Sequence, residues 1–194
     1  MNAKNITFII MMGALGTALF GVTYYLGPIA PGVNLDFSLI AVFIAGFFGG
    51  PVIGFVSGLF VGIFPGIMFG PLGMGGALGL IGLPLGKALS GFTAGFIVKG
   101  LKIGQKPRTS LITVPATFLA YVPESIMTYV YFIVVLGSQA GAATFFTAIL
   151  PKAIVEVAII SVIMAALVGN TGFKDFVTAH FTGMKTKEKT PPQP

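Results

Sequence analysis

The sequence contains no cysteine, no tryptophan and a single histidine. Without cysteine there is no disulfide scaffold, no thiol nucleophile and no iron–sulfur ligation. His180 stands alone in a polar C-terminal stretch, which argues against a histidine-based metal site. Charge is also scarce. Only 8% of residues are charged, against about 25% in an average soluble domain. The acidic side chains number five, and nothing clusters them with histidine or cysteine as a metal-dependent membrane enzyme would need. An enzyme is therefore not expected.

What replaces charge is apolar surface. Hydrophobic residues make up 55% of the 194 positions, and the mean hydropathy is +0.98. A soluble chain of this length has too much surface to hide that content in one core, so the solvent for most of it is lipid. Disorder is excluded by the same figures. The formal charge is +6, but its distribution matters more than its sum. Lys4, Lys99, Lys102, Lys106, Arg108, Lys174, Lys185, Lys187 and Lys189 lie between or outside the apolar runs, and only Lys87 and Lys152 lie within them. Basic loops between apolar runs mark a membrane protein rather than a nucleic-acid binder with one basic face.

The first run, residues 6–26, is long enough to cross ~30 Å of hydrocarbon. It lacks a small-residue cleavage site and reads as a retained helix. Residues 35–68 form a stretch too long for one span, and Gly49-Gly50-Pro51 divides it. A Gly- and Pro-rich segment at 65–79 precedes a fourth run at 80–98. A fifth covers 111–136, and a sixth ends near residue 168. Five or six crossings depend on whether Gly49-Gly50-Pro51 is a kink or a turn. Six place Lys4, the basic segment 99–108 and the Lys-rich tail on one side, as the positive-inside rule favours. The expectation is an all-α integral membrane protein. Residues 1–170 form a single six-transmembrane-helix bundle with both termini cytoplasmic in the cell membrane, and 171–194 form a polar tail.

Glycines recur every fourth residue from Gly46 through Gly54, Gly58 and Gly62 to Gly70. Such a face lets membrane helices approach closely. The fourth run repeats the device with Gly82, Gly86, Ser90 and Ala94. The segment Gly82-Leu-Pro-Leu-Gly86-Lys87-Ala88 superficially resembles a phosphate loop. It has three rather than four residues between its glycines and Ala88 where Ser or Thr is required, so this chain does not bind ATP through it.

Charges within lipid cost roughly 2.5–3.5 kcal/mol each on insertion scales. Asp36, Lys87, Glu124, Lys152 and Glu156 lie in or against the apolar runs. Counting at 1.5 Å per residue puts Lys87 about 10 Å and Glu124 about 18 Å from the outer ends of their helices. Lys152 and Glu156 are four apart and share a face. Pairing of Lys152 with Glu156 and Lys87 with Glu124 would neutralise them. A common depth on three helices points further, to a polar pocket open to the outside in which Lys152 contacts a ligand. Thr117, Tyr121, Thr128 and Tyr131 lie on or near the Glu124 face. Tyr121 and Tyr129 offer stacking surfaces, and Asn34 and Asp36 sit where the first outer loop would close over the pocket.

The stretch Asn34-Leu-Asp-Phe-Ser-Leu-Ile, with Ala45-Gly-Phe-Phe-Gly-Gly-Pro-Val-Ile-Gly54, resembles the substrate-binding S component of energy-coupling factor (ECF) transporters. Ala14-Leu-Gly-Thr-Ala18 is similar to that family's Ala-x-x-x-Ala stripe on its first helix. The resemblance spans roughly residues 10 to 168. It implies six helices and capture of a vitamin or related micronutrient near the outer face. It also implies a transmembrane coupling (T) component docked at Ala14 and Ala18, and two ATPase subunits that use the ATP, no cofactor being held in this chain. Asp36-Phe37-Ser38 and Lys152 are similar to riboflavin-binding members, although Leu39 stands where those often carry an acidic residue, and riboflavin is one substrate among several. Two readings of other classes remain. One is a small ion-coupled carrier acting as a dimer, with Glu124 or Glu156 as its protonated site. The other is a non-transporting assembly subunit.

Overall fold

The computed structural model describes residues 3–27, 34–104 and 110–182. Every regular element among them is helical. In chain order these are α1 (Ala3–Tyr25), α2 (Leu39–Ile44), α3 (Pro51–Phe69), α4 (Gly76–Leu101), α5 (Thr113–Leu136), α6 (Ser138–Thr144), α7 (Leu150–Gly169) and α8 (Thr171–Val177). A π-helical turn at Phe145–Ile149 joins α6 to α7, so 138–169 form one continuous helix. That helix, with α1, α3, α4 and α5, makes five that are long and apolar enough to cross a membrane. Their outward faces carry Ile10, Val22, Phe96, Val134 and Val162, all exposed. Large apolar side chains bare in such number fit a lipid solvent, and the chain is a membrane-embedded helical bundle.

The remaining apolar segment is shorter. α2 continues through a π turn, Ala45–Gly49, and the whole segment Leu39–Gly49 is below spanning length. Its eleven residues reach roughly 16 Å. Residues 34–38, which precede α2, are irregular and partly or wholly buried. Non-helical backbone survives at membrane depth only where protein encloses it. The dividing glycines form a turn, not a kink. Gly50 has φ 89° and Pro51 opens α3. A Cβ on Gly54 would lie 2.8 Å from the Gly46 Cα, whereas one straight helix would hold these residues about 12 Å apart. The chain therefore doubles back.

Two expected boundaries move. Pro65 does not end the third helix but lies inside it, and α4 begins at Gly76 rather than at residue 80. Pro84 and Pro123 are likewise interior. Membrane helices tolerate this because neighbouring groups satisfy the freed carbonyls.

The periodic glycines are the seam between α3 and α4. A Cβ at Gly58 would collide with the Lys87 carbonyl and Ala88 Cα, one at Gly62 with Pro84, and one at Gly54 with Gly91. The face of α4 against them is Pro84, Ala88, Gly91 and Gly95, with Ala94 beside Gly46. Gly82 has nothing within 4 Å of an added Cβ, and Gly86 faces Glu124 on α5. The segment that mimics a phosphate loop is continuous helix.

The start of the polar tail is folded. α8 is capped by the Asn170 side chain, which accepts from the Phe173 N–H at 3.0 Å. A π turn follows at Thr178–Thr182. Phe181 stacks on Phe8 of α1 with centroids 5.5 Å apart, and Lys4 Nζ donates to the Ala179 carbonyl at 3.2 Å. Gly50 lies beside the Lys99 side chain, and Lys174 donates to the Gly104 carbonyl. The first and last described residues therefore share one end of the bundle with the α2–α3 turn and the end of α4. Lys106, Arg108, Lys185, Lys187 and Lys189 fall outside the described residues.

Candidate functional site

Near mid-bundle the buried charges meet. Lys87 on α4 is 1% exposed. Its ammonium reaches Asp36 Oδ2 at 2.6 Å and Glu124 Oε1 on α5 at 3.3 Å. The earlier start of α4 explains the level match. Counted from Gly76, Lys87 lies roughly 16 Å in, close to the ~18 Å of Glu124 from its own helix end. On α7, Lys152 pairs with Glu156 at 2.9 Å. Pro151 sits in the first turn of α7, directly after the π turn. Proline has no N–H for the preceding turn, and the wider turn absorbs that missing bond.

The two expected ion pairs form, but Asp36 joins them into one network. Its backbone N–H donates to Glu156 Oε1, and its carboxylate takes the shorter of the two Lys87 contacts. The carboxylate is held in place locally, since Asp36 Oδ1 accepts from the Ser38 N–H at 3.0 Å and from the Ser38 hydroxyl. Asp and Ser two apart favour this Asx-type turn. The irregular segment before α2 is thereby fastened to both α4 and α7.

A cavity of about 110 Å³ opens onto this network. Asn34, Asp36, Lys87, Tyr121, Glu124, Thr128, Lys152 and Glu156 line it together. Tyr131 also lines it and donates its hydroxyl to the Phe69 carbonyl at 2.9 Å. Thr117 and Tyr129 do not take part. Thr117 is buried and donates to the Thr113 carbonyl at 2.8 Å, while Tyr129 packs edge-on against Phe145 with centroids 5.1 Å apart. Sequence reasoning missed the apolar wall, which includes Phe20, Leu39, Phe69, Leu83, Phe132 and Ile149.

Two acceptors in this wall are not satisfied. Glu124 is 7% exposed, and its Oε2 has no hydrogen-bond partner among the described residues. The buried Oδ1 of Asn34 has none either. Buried polar atoms are ordinarily paired, and those that are not call for an explanation. Among the described residues no group of three or more His, Asp or Glu side chains is arranged to hold a metal ion. Ala14 and Ala18, the predicted docking pair, are both exposed on α1. The inward side of that helix uses Gly13 against Phe60 and Gly16 against Val61.

Fold and site together define a helical membrane protein with a charged, partly apolar cavity inside the bundle. No protein-family model matches the chain, and no curated protein or solved structure does so either.

Proposed function

We propose that the chain is the substrate-capture subunit of an ECF-type uptake transporter, binding a micronutrient in a cavity that faces outward. The observation that carries the reading is the cavity itself. Four separate parts of the bundle, namely the 34–38 segment, α4, α5 and α7, contribute polar groups to one wall. That wall keeps two buried acceptors without partners. A network that served packing alone would be expected to close on itself, because each unmade bond costs about 1–3 kcal/mol.

In this reading the chain crosses the membrane six times, with Leu39–Gly49 and the segment before it forming the second crossing. Both ends and the Lys99 end of α4 lie in the cytoplasm, in accord with the clustering of lysines there. Ala14 and Ala18 form a flat exposed patch for the coupling component, and partner ATPases supply the energy. The orphaned Glu124 oxygen also suits the ion-coupled carrier, which would work without those partners.

Mass spectrometry of small molecules extracted from the purified protein tests capture. The expected result is one compound recovered near stoichiometrically from the parent chain and lost from Glu124→Ala and Tyr121→Ala. Recovery of no compound refutes capture. Uptake by the purified chain alone in vesicles, driven by an ion gradient, would select the carrier instead.

A further inference from the structure

The charge balance of the cavity runs against that of the chain. The whole sequence carries a formal charge of +6, yet three of its five acidic residues line this one cavity, facing two lysines. The wall therefore holds a formal excess of one negative charge. Geometry shows where the excess sits. Lys152 is matched by Glu156, whose other oxygen is occupied by the Asp36 N–H. Lys87 is matched most closely by Asp36, at 2.6 Å. That leaves Glu124, which shares Lys87 only at 3.3 Å through Oε1 and has an unpartnered Oε2. The other orphaned atom, Asn34 Oδ1, is an acceptor as well. The two most deeply buried unmet atoms of the wall both accept, which suits an occupant that donates to them. A buried carboxylate that has only a share of one lysine is better balanced by a positive occupant, since a buried ion without full pairing costs several kcal/mol. The remaining wall suits the same chemistry. Tyr121, Tyr131, Phe69 and Phe132 surround the cavity, and aromatic faces attract organic cations held within about 6 Å.

We infer that the cavity takes a small organic cation, an ammonium or amidinium group seated against Glu124 with its apolar body among the aromatic rings. The inference rests on the capture reading and narrows its substrate class. It moves the substrate away from riboflavin, which carries no net positive charge at neutral pH.

The absence of cysteine allows a test that needs no knowledge of the ligand. Thr128→Cys places one thiol in the cavity wall, and Ser138→Cys places one at the exposed start of α6. Each is labelled from the outside with 2-aminoethyl methanethiosulfonate, a cation, and with its 2-sulfonatoethyl counterpart, an anion. One excess negative charge within several ångströms should raise the cation-to-anion rate ratio at position 128 about tenfold or more over that at 138. Adding Glu124→Gln should return the ratio to the control value, and adding Lys152→Met should raise it further. The second variant keeps the test alive if the first does not fold. A ratio at or below the control overturns the inference, as does a ratio that ignores Glu124→Gln, the result expected if a proton already neutralises that carboxyl. Reaction with neither reagent overturns it too, because a solute of that size would have no way in. Mass spectrometry of the co-purified compound separates the two readings. A neutral or anionic compound overturns the cation assignment and leaves capture standing, whereas a cation-favouring cavity with no recovered compound overturns capture.

Discussion

Replacing Lys87 by methionine should be the most damaging single charge change in the bundle. Methionine keeps most of the side-chain volume, so the perturbation is electrostatic. Lys87 is 1% exposed and lies 2.6 Å from one carboxylate and 3.3 Å from another. Its removal leaves Asp36 and Glu124 facing each other without a counter-charge. Breaking a buried pair from one side costs about 3–5 kcal/mol. At roughly 2–4 °C per kcal/mol for a chain of this size, the melting midpoint in detergent should fall by about 6–20 °C. The triple variant Lys87→Met, Asp36→Asn, Glu124→Gln removes the stranded charges and should recover most of that loss. Lys152→Met supplies the comparison. Its side chain is 15% exposed, and its partner Glu156 keeps the Asp36 N–H, so the midpoint should fall by less than half as much. Differential scanning fluorimetry on the four proteins reads all of this. A Lys87→Met midpoint within about 2 °C of the parent, or a triple variant no better than the single one, would refute the reasoning.

Gly58→Ala should destabilise by about 1–3 kcal/mol through collision with the α4 backbone, while Gly82→Ala, with open space around its Cβ, should be neutral or gain up to about 1 kcal/mol from helix propensity; thermal melts should show a loss for the first and none for the second, and an equal loss in both would refute the seam. For topology, an impermeant maleimide applied outside intact cells should label Ser138→Cys and spare Leu101→Cys, and the reverse pattern would invert the proposed orientation. Ala14→Trp with Ala18→Trp should leave the melting midpoint unchanged, since both positions are exposed, and should abolish co-purification of the coupling component. Normal complex assembly by that double variant rules the surface out.

The long helices were legible because apolar runs and basic breaks carry their own physical signal. The charged cavity was legible too, because ionisable residues within apolar runs are costly enough to need partners. What the sequence hides is of two kinds. The Asp36–Lys87 contact joins an irregular segment to a helix 51 positions later, and no periodicity encodes such a contact. The apolar wall was hidden by abundance. Phe20, Phe69 and Phe132 are three of 19 phenylalanines, and nothing local separates them from those facing lipid. Tyr129 failed for a related reason, since two tyrosines near one glutamate look alike until the rotation of α5 is known. The short α2 was obscured because residues 35–49 read as continuous apolar sequence. The loop there gives itself away only through Asp36 and Ser38, which hold it by local side-chain bonds.

The backbone-to-backbone seam between α3 and α4 also has a mechanical meaning. With Gly54, Gly58 and Gly62 set against Gly91, Ala88 and Pro84, neither helix can slip past the other by a fraction of a turn without collision, so the pair moves as one plate. Lys87 is mounted on that plate. The opposite wall is built differently, from long side chains on α5 and from a helix that carries a π turn at Phe145–Ile149 one residue before Pro151. A widened turn followed by a proline is where a helix bends most easily, and Ile149 and Lys152 flank that point and face the cavity. The structure thus gives Lys152 and Glu156 a bending point of their own, whereas Lys87 moves only together with the paired helices.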